Sequence, residues 1–206
     1  MKRLLLTILF AAGAVFGHTT ESAGPAPAGL DPAVAAVLQK DGIRVKDGNK
    51  VVCELWFRSK VPSGPKSAED NVTLATTPQG TLMGVINFPE RGSDRRGQTV
   101  KPGVYTMRLG FFPPNGDHQG VAPQRDFFLL LNAAEDKDPN GNLAFEPLTK
   151  ASMKASGTPH PLVFSVWKAD SNFKPGIAQE GETDWVLQTK IGELPIAMIV
   201  AGKTEH

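Results

Sequence analysis

Apolar residues recur at every second position in stretch after stretch of this chain, and glycine or proline cuts each stretch short. That period belongs to strands, and it confines the chain to a β-rich fold. Val51, Cys53, Leu55 and Phe57 alternate with other residues, as do Leu82, Gly84, Ile86 and Phe88. Tyr105, Met107, Leu109 and Phe111 share one face, while Thr106, Arg108 and Gly110 share the opposite one, predicting a strand covered on one side and partly wet on the other. Phe127 to Leu131 is apolar without alternation, the pattern of a strand buried on both faces.

Only two segments read as helix. Asp31 is a good N-cap, Pro32 fits the first helical position, Val34, Val37 and Leu38 make an apolar stripe, and Gly42 can take the left-handed stop. Leu148 to Ser156 makes a second helix that ends on Gly157. A doubly wound or barrel α/β fold would need helices alternating with strands. About nine short strands, with 17 Pro and 21 Gly, predict an all-β fold, an antiparallel β-sandwich or barrel with two short helices.

Turn chemistry sets the expected pairings. Asp47-Gly48 joins Ile43 to Lys46 with Lys50 to Arg58 as a tight hairpin. Val72, Leu74 and Thr76 read as a strand that turns at Thr77 to Gly80 into Leu82 to Phe88, a second hairpin. Leu162 to Lys168 is a further strand, and Asp184 to Lys190 pairs with Leu194 to Ala201 around Ile191-Gly192-Glu193. Cys53 is the single cysteine; it excludes an intrachain disulfide and reads as a small core residue.

The first 17 residues read as an address. Lys2 and Arg3 supply a positive start, Leu4 to Phe16 an apolar run short of the ~20 residues that span a bilayer, and Gly17 a small residue at the cut. The expected organisation is a signal peptide over 1–17, a flexible linker over 18–29 and a single β-sandwich domain over 30–206. The expected location is periplasmic or extracellular. At 206 residues, 21% charged and net charge +1, the chain suits one domain and has no basic run to seek nucleic acid, nor a membrane span.

Motifs are sparse. No Gly-x-Ser-x-Gly, His-Glu-x-x-His, Cys-x-x-Cys or Gly-rich dinucleotide loop occurs. Arg91, Asp94, Arg95 and Arg96 read as a solvated loop, with an anion site as the sharper alternative. Asn115, Asp117 and His118 put an amide, a carboxylate and an imidazole in one loop, Asn115 to Gly120, and Arg125 and Asp126 stand at its far end. Those five could bind a ligand or a divalent metal ion, or serve as turn formers and loop ion pairs. Asp136, Asp138 and Asn140, followed by Gly141, repeat the opening of a calcium loop, in which alternate oxygen ligands wrap a hard cation. Pro139 interrupts it, and Pro147 stands where the bidentate glutamate belongs, with Glu146 one place early.

Lys101-Pro102-Gly103-Val104-Tyr105, then Asn115-Gly116-Asp117-His118 with Gly120-Val121-Ala122-Pro123, then Arg125-Asp126-Phe127, resembles a group of exported bacterial β-rich proteins, a domain of unknown function. The resemblance implies export and an all-β fold and carries no activity. The expected function is a non-catalytic exported module that binds a protein partner or small ligand through the Asn115 to Gly120 loop face. The alternative is a metal-assisted hydrolase centred on His118, Asp117 and Asp126.

Overall fold

Two of the expected hairpin turns, Asp47-Gly48 and Ile191-Gly192, form as anticipated. Gly48 and Gly192 adopt left-handed backbone angles, φ 56° and 58°, which the tight hairpins there require. A computed structural model describes residues 17–113 and 124–203. Its elements in chain order are β1 (His18–Gly24), α1 (Pro32–Val37), β2 (Gly42–Asp47), β3 (Lys50–Phe57), β4 (Leu82–Phe88), β5 (Gly92–Ser93), β6 (Thr99–Val100), β7 (Gly103–Phe111), β8 (Asp126–Asn132), α2 (Phe145–Ser156), β9 (Val163–Lys168), β10 (Gly176–Glu180), β11 (Asp184–Ile191) and β12 (Leu194–Ala201).

Ten of these strands form one antiparallel sheet in the order β1-β2-β3-β4-β7-β8-β9-β12-β11-β10, and β5 pairs with β6 as a small separate ribbon. The large sheet curls until its edge strands β1 and β10 approach each other, so it is nearly closed into a barrel. The two expected layers are thus two sides of one curled sheet. The fold is all-β.

Period two sorts the side chains. Cys53, Leu55 and Phe57 of β3, Met107 and Leu109 of β7, and Phe128 and Leu130 of β8 all point into the barrel and are buried. Each large apolar side chain so buried contributes about 1.5–3 kcal/mol. Phe127, Leu129 and Leu131 of β8 face outward, where Leu148 of α2 packs over them. That second cover is why the segment is apolar throughout. On another outer face α1 places Val34 over Trp56, Leu82 and Val85.

The helix ends follow their capping residues. The Asp31 carboxylate accepts from the backbone N–H of Ala33 at 2.9 Å, and Gly157 closes α2 at φ 70°. Gly42 does not stop α1, however. The helix ends at Val37 because Leu38 turns extended to bridge Arg58, and Gly42 opens β2. A side chain at Gly42 would collide with the indole of Trp56.

Three further expectations need correction. The linker over 18–29 is β1 for its first seven residues: it pairs with β2, and Glu21 stands opposite Arg44 and binds it at 3.2 Å. Trp56 also donates its indole N–H to Gly24 O at 2.8 Å. An edge strand with one exposed side needs no apolar alternation, so its sequence HTTESAG reads as a tether. Val72 to Thr76 is not a strand, and β4 pairs with β3 and β7 instead. Finally, the Thr106 and Arg108 face of β7 is not wet; these residues are 0% and 1% exposed.

Cys53 is 0% exposed, and burial pushes its thiol well above the ordinary value. A thiol reagent is expected to label the native protein at least ~100-fold more slowly than the unfolded chain, because reaction must wait for opening of the barrel. Equal labelling rates would contradict this packing.

Candidate functional site

Strand directions place the chemistry-bearing loops. β3 and β7 finish, and β4 and β8 begin, at one end of the barrel. The long connections 58–81 and 112–125 therefore emerge together. The β11–β12 turn reaches the same end, where Gly192 packs against Ser59.

Two adjacent residues fasten this end. Arg125 donates from Nε to Phe112 O at 2.8 Å and from Nη2 to Glu69 Oε2 at 2.7 Å, closing the base of the 112–125 connection and tying it to the neighbouring one. Asp126 is 0% exposed, and its two oxygens accept from the backbone N–H groups of Thr73 and Leu74 at 2.8 and 2.7 Å. That carboxylate replaces the strand partner that residues 72–76 lack. Burial raises the Asp126 pKa, and the backbone hydrogen bonds oppose the rise. Phe112 and Phe127 pack against each other with ring centroids 4.2 Å apart and planes inclined by 32°. Asn115, Asp117 and His118 lie outside the described residues.

Two clefts flank the segment from Ser59 to Ser63 at this end. One, of about 550 Å³, is lined by that segment with Thr76, Thr77 and Ile191 to Leu194. The other, of about 490 Å³, lies against Ala36 and Val37 of α1 and includes Arg58. A third cleft, of about 530 Å³, lies outside the sheet beside Trp167 and Phe173.

The calcium-like turn has a different positive partner. Asp136 forms a two-pronged pair with Arg108, Nε to Oδ2 and Nη2 to Oδ1, both at 2.7 Å, and also accepts from Thr106 Oγ1 at 2.6 Å. The carbonyls of Asp138, Gly141 and Gly80 take the remaining Arg108 donors at 2.6, 2.5 and 2.7 Å. Asp138 Oδ1 accepts from Asn140 N at 2.9 Å, and Asn140 Oδ1 accepts from Arg58 Nη2 at 2.9 Å. Oxygens spaced as in a cation loop here wrap guanidinium groups. No group of three His, Cys, Asp or Glu suited to a metal ion occurs among the described residues.

The arginine-rich loop is likewise committed to acids. Arg95 pairs with Asp184 at 2.9 Å, and Arg96 pairs with the buried Asp94 at 3.0 Å. Residues that sequence reasoning passed over are Arg58 and Arg108. For Arg108 the available signal was an arginine in the middle of a strand whose neighbours are all apolar or small; Arg58, just past the end of β3, carries no such mark. Among the described residues no helix is long and apolar enough to cross a membrane. Comparison of the chain with protein-family models, curated proteins and solved structures gives no match.

Proposed function

We propose that this protein is an exported, non-catalytic binding module that engages a partner or small ligand through the barrel end carrying Asn115, Asp117 and His118. The observation that supports this reading is the fastening at Arg125 and Asp126. The first closes the base of the loop and the second pins the neighbouring segment, so the loop springs from a fixed platform, the arrangement in which scaffolds carry recognition. Binding is favoured over a hydrolase because Asp126 is 0% exposed and each of its oxygens accepts from a backbone N–H, which gives that carboxylate a structural task away from solvent. Arg125 and Asp126 then act as positioning residues. Recognition falls to Asn115, Asp117 and His118. Export rests on the charged start and short apolar run of residues 1–17, which precede β1 in the chain.

The replacement His118→Ala tests the loop. Thermal unfolding of both proteins is compared with and without a panel of divalent metals and small acids. A recognition role predicts a variant whose stability changes by less than about 0.5 kcal/mol and whose ligand affinity falls about tenfold or more. A wild-type protein indifferent to every compound, with a variant that melts earlier, would make the loop a structural connection.

A further inference from the structure

Arg108 and Arg58 lie on the same covered outer surface of the sheet, yet only Arg108 has an acid. Arg58 is 7% exposed. Its guanidinium meets two neutral oxygens, Pro139 O from Nη1 at 2.5 Å and Asn140 Oδ1 from Nη2 at 2.9 Å. Among the described residues no carboxylate forms an ion pair with it, whereas Asp136 holds Arg108 at 2.7 Å. A guanidinium has five N–H donors, so these two bonds leave donors to spare. Burial first, and the like charge of Arg108 second, hold the Arg58 pKa below its ordinary value. A nearly buried cation without an anion is costly to keep, and proteins ordinarily pair it.

The surroundings supply the shape for that missing anion. The cleft of about 490 Å³ that Arg58 borders is walled by Ala36, Val37 and the segment from Ser59 to Ser63. Arg58 and Lys60 are its charged residues, Ser63 contributes a hydroxyl, and no carboxylate lines it. Lys60 is exposed and makes no ion pair among the described residues. The Val37 carbonyl, which would repel an anion, is covered by Ser59, whose N–H and hydroxyl donate to it at 2.8 and 3.0 Å. Two cations and a hydroxyl gathered in a cleft free of acids match an oxyanion.

We propose that this cleft binds a small oxyanion, the phosphate or carboxylate group of a ligand, between Arg58 and Lys60. Arg58 supplies a partly desolvated guanidinium with donors to spare, and Lys60 an exposed ammonium on the same cleft. The site shares no residue with the Asn115 to Gly120 loop.

The test is a two-dimensional amide NMR titration of the mature chain with inorganic phosphate and, in parallel, with acetate, each at ionic strength matched by chloride. Saturable shifts confined to residues 36–37 and 58–63 are expected with at least one of the two anions. Response to phosphate alone would assign the site to a phosphate group, and response to acetate would assign it to a carboxylate. Lys60→Met, an exposed change that spares the fold, should weaken the binding about tenfold, as loss of one charge-assisted contact does. Arg58→Lys, which keeps the charge but removes the fork, should weaken it further. Shifts that rise linearly without saturating, or saturate with equal affinity in Lys60→Met, would overturn the proposal. Saturable shifts beside residues 113–124 with none at 58–63 would overturn it too, while leaving the loop reading standing.

Discussion

Asp136→Ala is expected to cost about 3–5 kcal/mol of stability. The residue sits in a polar turn, where a truncation ordinarily changes stability by about 0.5 kcal/mol or less. Here its carboxylate is the acid that neutralises Arg108, a side chain 1% exposed whose other donors are all taken by carbonyls. Removing it strands the guanidinium, and also frees the Thr106 hydroxyl, beneath a loop with no room for bulk solvent. Chemical denaturation of the two proteins measures the loss. The cause is isolated by Arg108→Met in the Asp136→Ala background, which removes the stranded charge and should restore part of the stability. A single variant within about 1 kcal/mol of wild type would show that the pair is dispensable.

Asp126→Ala should lose about 2–4 kcal/mol, since it leaves the buried N–H of Leu74 and the partly buried N–H of Thr73 without acceptors, at about 1–3 kcal/mol for a buried group. Leu74, 2% exposed and part of the barrel core, would loosen with them. The pH dependence has a definite sign. Burial raises the folded pKa of Asp126 above its ordinary 3.8, so the folded state binds this proton more tightly than the unfolded chain does. The contribution of Asp126 is then fully present below the unfolded pKa and falls as pH rises through the folded value. The stability gap between wild type and Asp126→Ala is accordingly expected to be wider on the acid side than at neutral pH. A gap that narrows on acidification would mean that the two backbone hydrogen bonds outweigh desolvation.

The two arginines also divide the labour of the outer surface. Loop 133–144 crosses β7 between the territories of α1 and α2, and its carbonyls are turned toward the sheet by Arg108 and Arg58. Three outer faces of the barrel are thus covered in three ways, by α1, by α2 and by a loop held on guanidinium groups. The polar cover has the consequence that its charge must be neutralised from nearby. Asp136 does so for Arg108, and the cleft beside α1 is where the same need arises for Arg58.

What the sequence determined by itself was set by neighbours a few residues apart. Asp47-Gly48 and Ile191-Gly192 specify hairpins because a left-handed backbone is needed there and glycine takes it without strain. Asp31 and Gly157 mark helix ends by local hydrogen bonding and backbone angle, and the unbroken apolar run Phe127 to Leu131 announces burial on both faces. The tertiary structure alone decided what lies on top of each face. Period two separates the face with Thr106 and Arg108 from the face with Met107, but it cannot say that a loop some 30 residues onward will bury the polar one. The same limit hid β1, whose strand character comes from the open edge of β2 and not from its own HTTESAG, and it misread residues 72–76, which are held by a carboxylate more than 50 positions away. The spacing of Asp136, Asp138 and Asn140 is a local fact about where oxygens point. Which cation they surround depends on the strand brought beneath them, and folding brings Arg108 and Arg58.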